Sequence, residues 1–167
     1  MQRSTGLMVG LGGAAAALLF ASYVAALDEG ARAPALTGRA LGGSSVVDLS
    51  AHRGSVIVVD FWASWCGPCA EAMPALERLY QQYRAQGLVV IGVSEDDAER
   101  NARGFLSQTR VTFPVMLDSD HSVANRYRPA TMPSTFVIDR RGVVRHVHSG
   151  YRAGDAAALE RQIRDLL

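Results

Sequence analysis

The sequence predicts an α/β fold in which a central mixed β-sheet is flanked by helices, carries an α/β insertion and follows an N-terminal apolar signal or anchor helix. Three observations lead there. Two unbroken apolar runs, Val56 to Trp62 and Leu88 to Ser94, have the length and continuity of strands buried on both faces. The segment between them places its apolar residues at helical spacing, and strand-helix-strand order implies a parallel pair joined by a right-handed crossover. Near the C-terminus, two further apolar runs flank Arg140-Arg141-Gly142 and read as a hairpin, which adds antiparallel strands.

Taken in chain order, residues 1–27 read as a targeting segment. Arg3 precedes an uncharged stretch from Gly6 to Leu27, and Asp28-Glu29 follow it. The stretch approaches the ~20 residues that cross a bilayer as a helix, while Val24-Ala25-Ala26 matches a small-residue cleavage site. A retained anchor and removal after Ala26 therefore both remain open. The positive charge before the stretch and the acids after it place the rest of the chain outside the cytoplasm, in a bacterium the periplasm. Residues 28–45, rich in Gly, Ala, Arg and Pro without an apolar period, read as a linker. A single domain is expected over residues 46–167, because 167 residues of which 49% are hydrophobic support one core and not two.

Within that domain, Val46 to Leu49 is a short strand and Arg53-Gly54-Ser55 a turn before the first buried run. From Cys66, the positions Ala72, Leu76, Leu79, Tyr80 and Tyr83 define a helix that Gly87 ends and Pro74 is expected to kink. After the second buried run, a helix from Asp96 to Thr109 turns Ala98, Ala102, Phe105 and Leu106 to one side. It is followed by a short strand from Phe113 to Leu117 and a helical turn from Ser122 to Arg126, and these pieces form the insertion. The hairpin pairs Thr135 to Asp139 with Val143 to His148. Asp155 then opens a last helix with Leu159, Ile163 and Leu166 inward.

Charge excludes several functions. The 17 basic and 16 acidic residues leave a formal +1, with no footprint for nucleic acid and no polybasic patch for anionic lipid. Every basic residue is arginine, so no Schiff-base or phosphate-loop lysine exists. The chemistry lies in the two cysteines. An exported chain with only two, three positions apart, is not using them as a staple, since so short a loop removes little chain entropy. Cys66 sits where a buried strand turns into a helix, so unpaired N–H groups and the positive helix end stabilise its thiolate. Pro68 restrains the first turn and Cys69 lies one turn on, facing the first sulfur. The thiolate of Cys66 can thus attack a substrate disulfide, and Cys69 can resolve the mixed disulfide.

The segment Val59-Asp60-Phe61-Trp62-Ala63-Ser64-Trp65-Cys66-Gly67-Pro68-Cys69 resembles the active-site segment of thioredoxins. Together with the export segment, Met73-Pro74, the insertion and Met132-Pro133-Ser134-Thr135-Phe136-Val137-Ile138-Asp139, it resembles the TlpA/ResA-like membrane-anchored thioredoxins, close to the CcmG/DsbE-like proteins of cytochrome c maturation. The resemblance covers Val46 to Leu167 and implies a thioredoxin-like fold. It also implies a cis Pro133 beside the disulfide, with the Met132 backbone pairing to an extended substrate. Gly67-Pro68, the dipeptide of thioredoxin, implies reducing behaviour. Many members carry a buried glutamate where this chain has Ala72, so that role is not carried over. Asp60 stands at the buried aspartate of thioredoxins and is expected to accept the proton of Cys69, because a carboxylate in an apolar strand has a raised pKa. Its rival is a strand-end carboxylate satisfied by backbone donors. Trp65 is expected as an exposed substrate contact beside the cysteines, and Trp62 as core.

The implied partners are protein disulfides and thiols, apocytochrome c first, and a membrane electron donor of the DsbD/CcdA type. No cofactor is called for. Alternatives are a broader thiol reductase or oxidant for other assembly factors, a copper or zinc chaperone using both cysteines, and a thiol peroxidase, which needs a peroxidatic cysteine in a different setting. His146 and His148 could join the cysteines as a zinc set, although alternate strand residues usually just face water. A c-type haem needs histidine after Cys69, where Ala70 stands.

Overall fold

The computed structural model describes residues 27–167, so the segment read as signal or anchor lies, up to residue 26, outside the described residues. Among the described residues no helix is long and apolar enough to cross a membrane. The strands are β1 (Thr37–Arg39), β2 (Val46–Asp48), β3 (Val56–Trp62), β4 (Leu88–Ser94), β5 (Val115–Leu117), β6 (Ser134–Ile138) and β7 (Val144–Ser149). The helices are α1 (Gly67–Tyr83), α2 (Glu99–Thr109), α3 (Ala124–Tyr127) and α4 (Asp155–Leu166). Strands β5-β4-β3-β6-β7 form a mixed sheet in that order, parallel from β5 to β3 and antiparallel from β3 to β7. This is the thioredoxin-like architecture expected, with both central strands at the expected residues.

All seven residues of β3 are buried, because the sheet is covered on both faces. Val56, Val58 and Trp62 point into one core with Met73, Leu76 and Leu79 of α1, Ala102 of α2 and Ile163 of α4. Ile57, Val59 and Phe61 point into the other, where Phe61, Tyr127 and Phe136 meet with ring centroids 5.2–5.7 Å apart. Strand alternation thus decides that Asp60 lies on the α1 side. α1 runs through Pro74 as one element and ends in a single 3-10 turn, after which Gly87 takes φ 102° to release the chain into β4. Gly92 in β4 is needed for close approach: a Cβ there would sit 3.1 Å from Trp62 Nε1 and 3.1 Å from Val115 Cγ2.

The reading of residues 28–45 as a linker is corrected. They pack on the domain, with β1 paired antiparallel to β2 and Leu36 only 1% exposed. Gly30 and Ala33 donate from their backbones to Val144 and Gly142, and Leu41 to Val115. Tyr127 Oη donates to the Pro34 carbonyl at 2.9 Å. Most of these bonds use the backbone, which leaves no period in the side chains, so composition alone reads as a tether. Leu36→Ala is accordingly expected to lower the unfolding free energy by about 2–4 kcal/mol in urea denaturation. A tether residue would change it by less than about 0.5 kcal/mol. The α2 helix also starts later than expected: Glu95 to Asp97 follow β4 outside any helix, and Ala98 occupies the N-cap position without a side-chain cap bond.

Candidate active site

Strand β3 delivers the chain to the cysteine pair through one tight turn, in which the Cys66 N–H donates to the Ala63 carbonyl at 3.1 Å. Cys66 is the N-cap residue of α1 with extended φ/ψ, and its sulfur accepts from the Cys69 N–H at 3.3 Å. A disulfide joins Cys66 and Cys69, whose Cα atoms are 5.4 Å apart. The two sulfurs are not equivalent: Cys66 keeps 5% exposure and Cys69 none. Gly67 and Pro68 are exposed at the helix tip and Trp65 is 69% exposed, whereas Trp62 is buried and stacks on Phe105 at 4.9 Å. A large aromatic left in water beside the cysteine pair is a surface suited to a protein chain.

The β6 end of the site comes from the same pole of the sheet, because Ser134 pairs with Phe61. The Met132–Pro133 peptide is cis. Pro133 is buried and its carbonyl accepts from Gly150, while Met132 is partly buried and touches both cores.

Asp60 is fully buried on the face that α1 covers. Thr135, its register partner in β6, donates to Asp60 Oδ1 at 2.6 Å, while Oδ2 has no partner. Burial pushes the carboxyl up to about 7, with the Thr135 hydroxyl working in the opposite direction. Thr135 in place of backbone donors differs from the rival reading of Asp60 as a carboxylate satisfied by N–H groups. Glu71 is exposed and Ala72 buried. His146 Nδ1 lies 3.8 Å from Glu29, and His148 Nε2 lies 2.6 Å from Gln162 Oε1.

Sequence reasoning missed a second acidic group at the end of β4. Asp96 is 1% exposed and accepts from Ser64, two residues before Cys66. Glu95 is bound to Trp62 through its backbone N–H, and its Oε2 lies 2.7 Å from His121 Nδ1 while Oε1 is buried without a partner. Burial pushes Glu95 up to about 7, with the His121 bond opposing, and the same bond raises His121. An acidic run directly after a buried parallel strand was the available signal, since functional groups gather at that end of such strands.

The model of the AhpC/TSA family matches residues 30–147. The chain belongs to the AhpC/TSA family. Among relatives, the thioredoxin-like protein YneN of Bacillus subtilis is 33% identical over 127 residues, covering 74% of this chain and 73% of its own. The thiol-disulfide oxidoreductase ResA of Geobacillus kaustophilus is 33% identical over 102 residues, covering 61% of this chain. The match spans 59% of the length of that ResA relative. A crystal structure described as a thiol:disulfide interchange protein DsbE from Chlorobium tepidum superposes with a TM-score of 0.80 at 39% identity, over 84% of this chain and 99% of the other. The family match and the superposition agree with a thioredoxin-like domain of the ResA and DsbE kind.

Proposed function

We propose that this protein is an extracytoplasmic thiol-disulfide oxidoreductase that reduces protein disulfides. The observation that carries the reading is the Cys66–Cys69 bridge at the tip of α1, with the more accessible sulfur as helix N-cap. In the reduced protein, the helix N-terminus stabilises the Cys66 thiolate. That thiolate attacks one sulfur of the substrate disulfide; a Cys66–substrate bond forms, the substrate S–S bond breaks, and the first substrate thiol leaves with a proton from water. Asp60 then takes the proton of Cys69, and the Cys69 thiolate attacks Cys66 Sγ. The second substrate sulfur departs as thiolate and takes up the proton that Asp60 holds, the substrate has gained two electrons, and the internal bridge has formed. Trp65, Gly67, Pro68, Met132 and Pro133 are assigned to the substrate surface, with the Met132 backbone offered as a strand partner.

Recharging requires an external dithiol, which we assign to a membrane electron donor of the DsbD/CcdA type. Apocytochrome c is the first substrate to test, as cytochrome c maturation is where the family resemblance points. The segment up to residue 26 supplies the export signal and, where retained, the membrane anchor; Leu27, expected as its last residue, instead packs in the domain core. The direction of transfer is tested by equilibrating the pair against dithiothreitol and glutathione buffers. A potential near about −270 mV is expected for a reductase, and one near about −120 mV, the range of a strong oxidant, overturns the assignment.

A further inference from the structure

The turn from Ala63 to Cys66 leaves the N–H of its second residue, Ser64, without a partner inside the turn. Asp96, from the end of the neighbouring strand β4, takes it. The Ser64 N–H lies 3.1 Å from Asp96 Oδ2 and 3.3 Å from Oδ1, and the Ser64 hydroxyl donates to Oδ1 at 2.6 Å. Behind it, the Ser94 hydroxyl donates to Oδ2 at 2.8 Å. Asp96 is 1% exposed, so these bonds act in a medium where they are stronger than in water. We propose that Asp96 is a positioning residue for thiol exchange: by holding Ser64 it fixes the turn that presents Cys66 to the N-terminus of α1.

The physical basis is range. Helix-terminus stabilisation of an anion falls off within one turn, so the sulfur must be held in place for its thiolate to benefit. The carboxylate also carries a charge, and a like charge near the thiolate opposes its formation. Positioning and charge therefore act on Cys66 with opposite signs. Asp96→Asn keeps an oxygen for Ser64 and an amide donor for the Ser94 hydroxyl but removes the charge. Asp96→Ala removes both.

This inference rests on the oxidoreductase reading, and the test separates the two. In the reduced full-length protein, the pH dependence of Cys66 alkylation by iodoacetamide is followed by peptide mass spectrometry. The Cys66 pKa of Asp96→Ala is expected to rise by about one unit, giving about tenfold slower alkylation at pH below it, while Asp96→Asn alkylates at least as fast as the parent. Equal behaviour of the two variants overturns the inference. Ser64→Ala keeps the charge and loses the 2.6 Å bond; it covers the case in which Asp96→Ala does not fold. Alkylation slowed about threefold is expected there, and an unchanged rate overturns the proposal. A parent protein whose Cys66 is unreactive until well above neutral pH sinks the oxidoreductase reading, and with it this one.

Discussion

Replacing Cys66 by serine is expected to abolish insulin reduction, a loss on the order of a thousandfold or more, while Cys69→Ser is expected to be captured by its substrates as a mixed disulfide. The two variants differ because the two sulfurs do. Cys66 is the N-cap, retains exposure and is the one whose thiolate the helix stabilises; Cys69 is wholly buried behind it. Without Cys69 the first exchange still proceeds, and the Cys66–substrate bond then has no internal sulfur to break it. Non-reducing electrophoresis with mass spectrometry reads the trapped species. The loss does not come from unfolding: a bridge closing so short a loop contributes only about 2 kcal/mol in the chain-entropy account. Equal trapping by both variants, or by neither, removes the assignment of Cys66 as nucleophile.

The second large effect is expected at Asp60. Its folded pKa is raised from the ordinary 3.8 to about 7, so between those values the folded protein holds a proton that the unfolded chain has released. Stability must then fall as pH rises through that window and level off above it. The full effect of this one carboxyl is about 4 kcal/mol, large against typical domain stabilities of about 5–15 kcal/mol. Asp60→Asn removes the dependence and is expected to be more stable than the parent at pH 8 by on the order of 2–4 kcal/mol, with near equality at pH 4. Urea denaturation of the oxidised protein at both pH values measures this, and parallel pH profiles for variant and parent contradict it. Glu95 is raised to about 7 by burial with the same sign, so a residual slope in the variant is assigned to Glu95. If Asp60 also accepts the Cys69 proton, release of a mixed disulfide in Asp60→Asn slows on the order of a hundredfold near neutral pH. The stability and kinetic results are separable. Stabilisation with unchanged release kinetics leaves Asp60 as a buried acid without a part in the exchange.

Much of the fold was legible because its central strands are buried on both faces. Val56–Trp62 and Leu88–Ser94 announce themselves as unbroken apolar runs, and the structure keeps both at those residues. The α1 periodicity from Ala72 to Tyr83 was equally direct, since one face of the helix meets the sheet. Short and edge elements were less so. Residues 28–45 attach largely through backbone hydrogen bonds, which no side-chain pattern encodes, so their composition reads as a linker. In the sequence Asp96 reads as the start of a helix, because Ala98, Ala102, Phe105 and Leu106 after it fall on one side at helical spacing. Its bonds to Ser64, 32 positions earlier, could not be inferred from either segment alone.

The amino-acid sequence by itself determined the reactive pair, the helix that begins at it and the strand that leads to it, because these are local: three-residue spacing, Pro68 and a buried run set them within one stretch of chain. Only the tertiary structure decided how the carboxylates of this end of the sheet are held, which depends on contacts between segments far apart in the chain. Thr135 reaches Asp60 across an antiparallel register, and Asp96 reaches Ser64 across a parallel one. The protonation of a buried carboxylate depends on what covers it, and that is a property of the assembled layers of the fold.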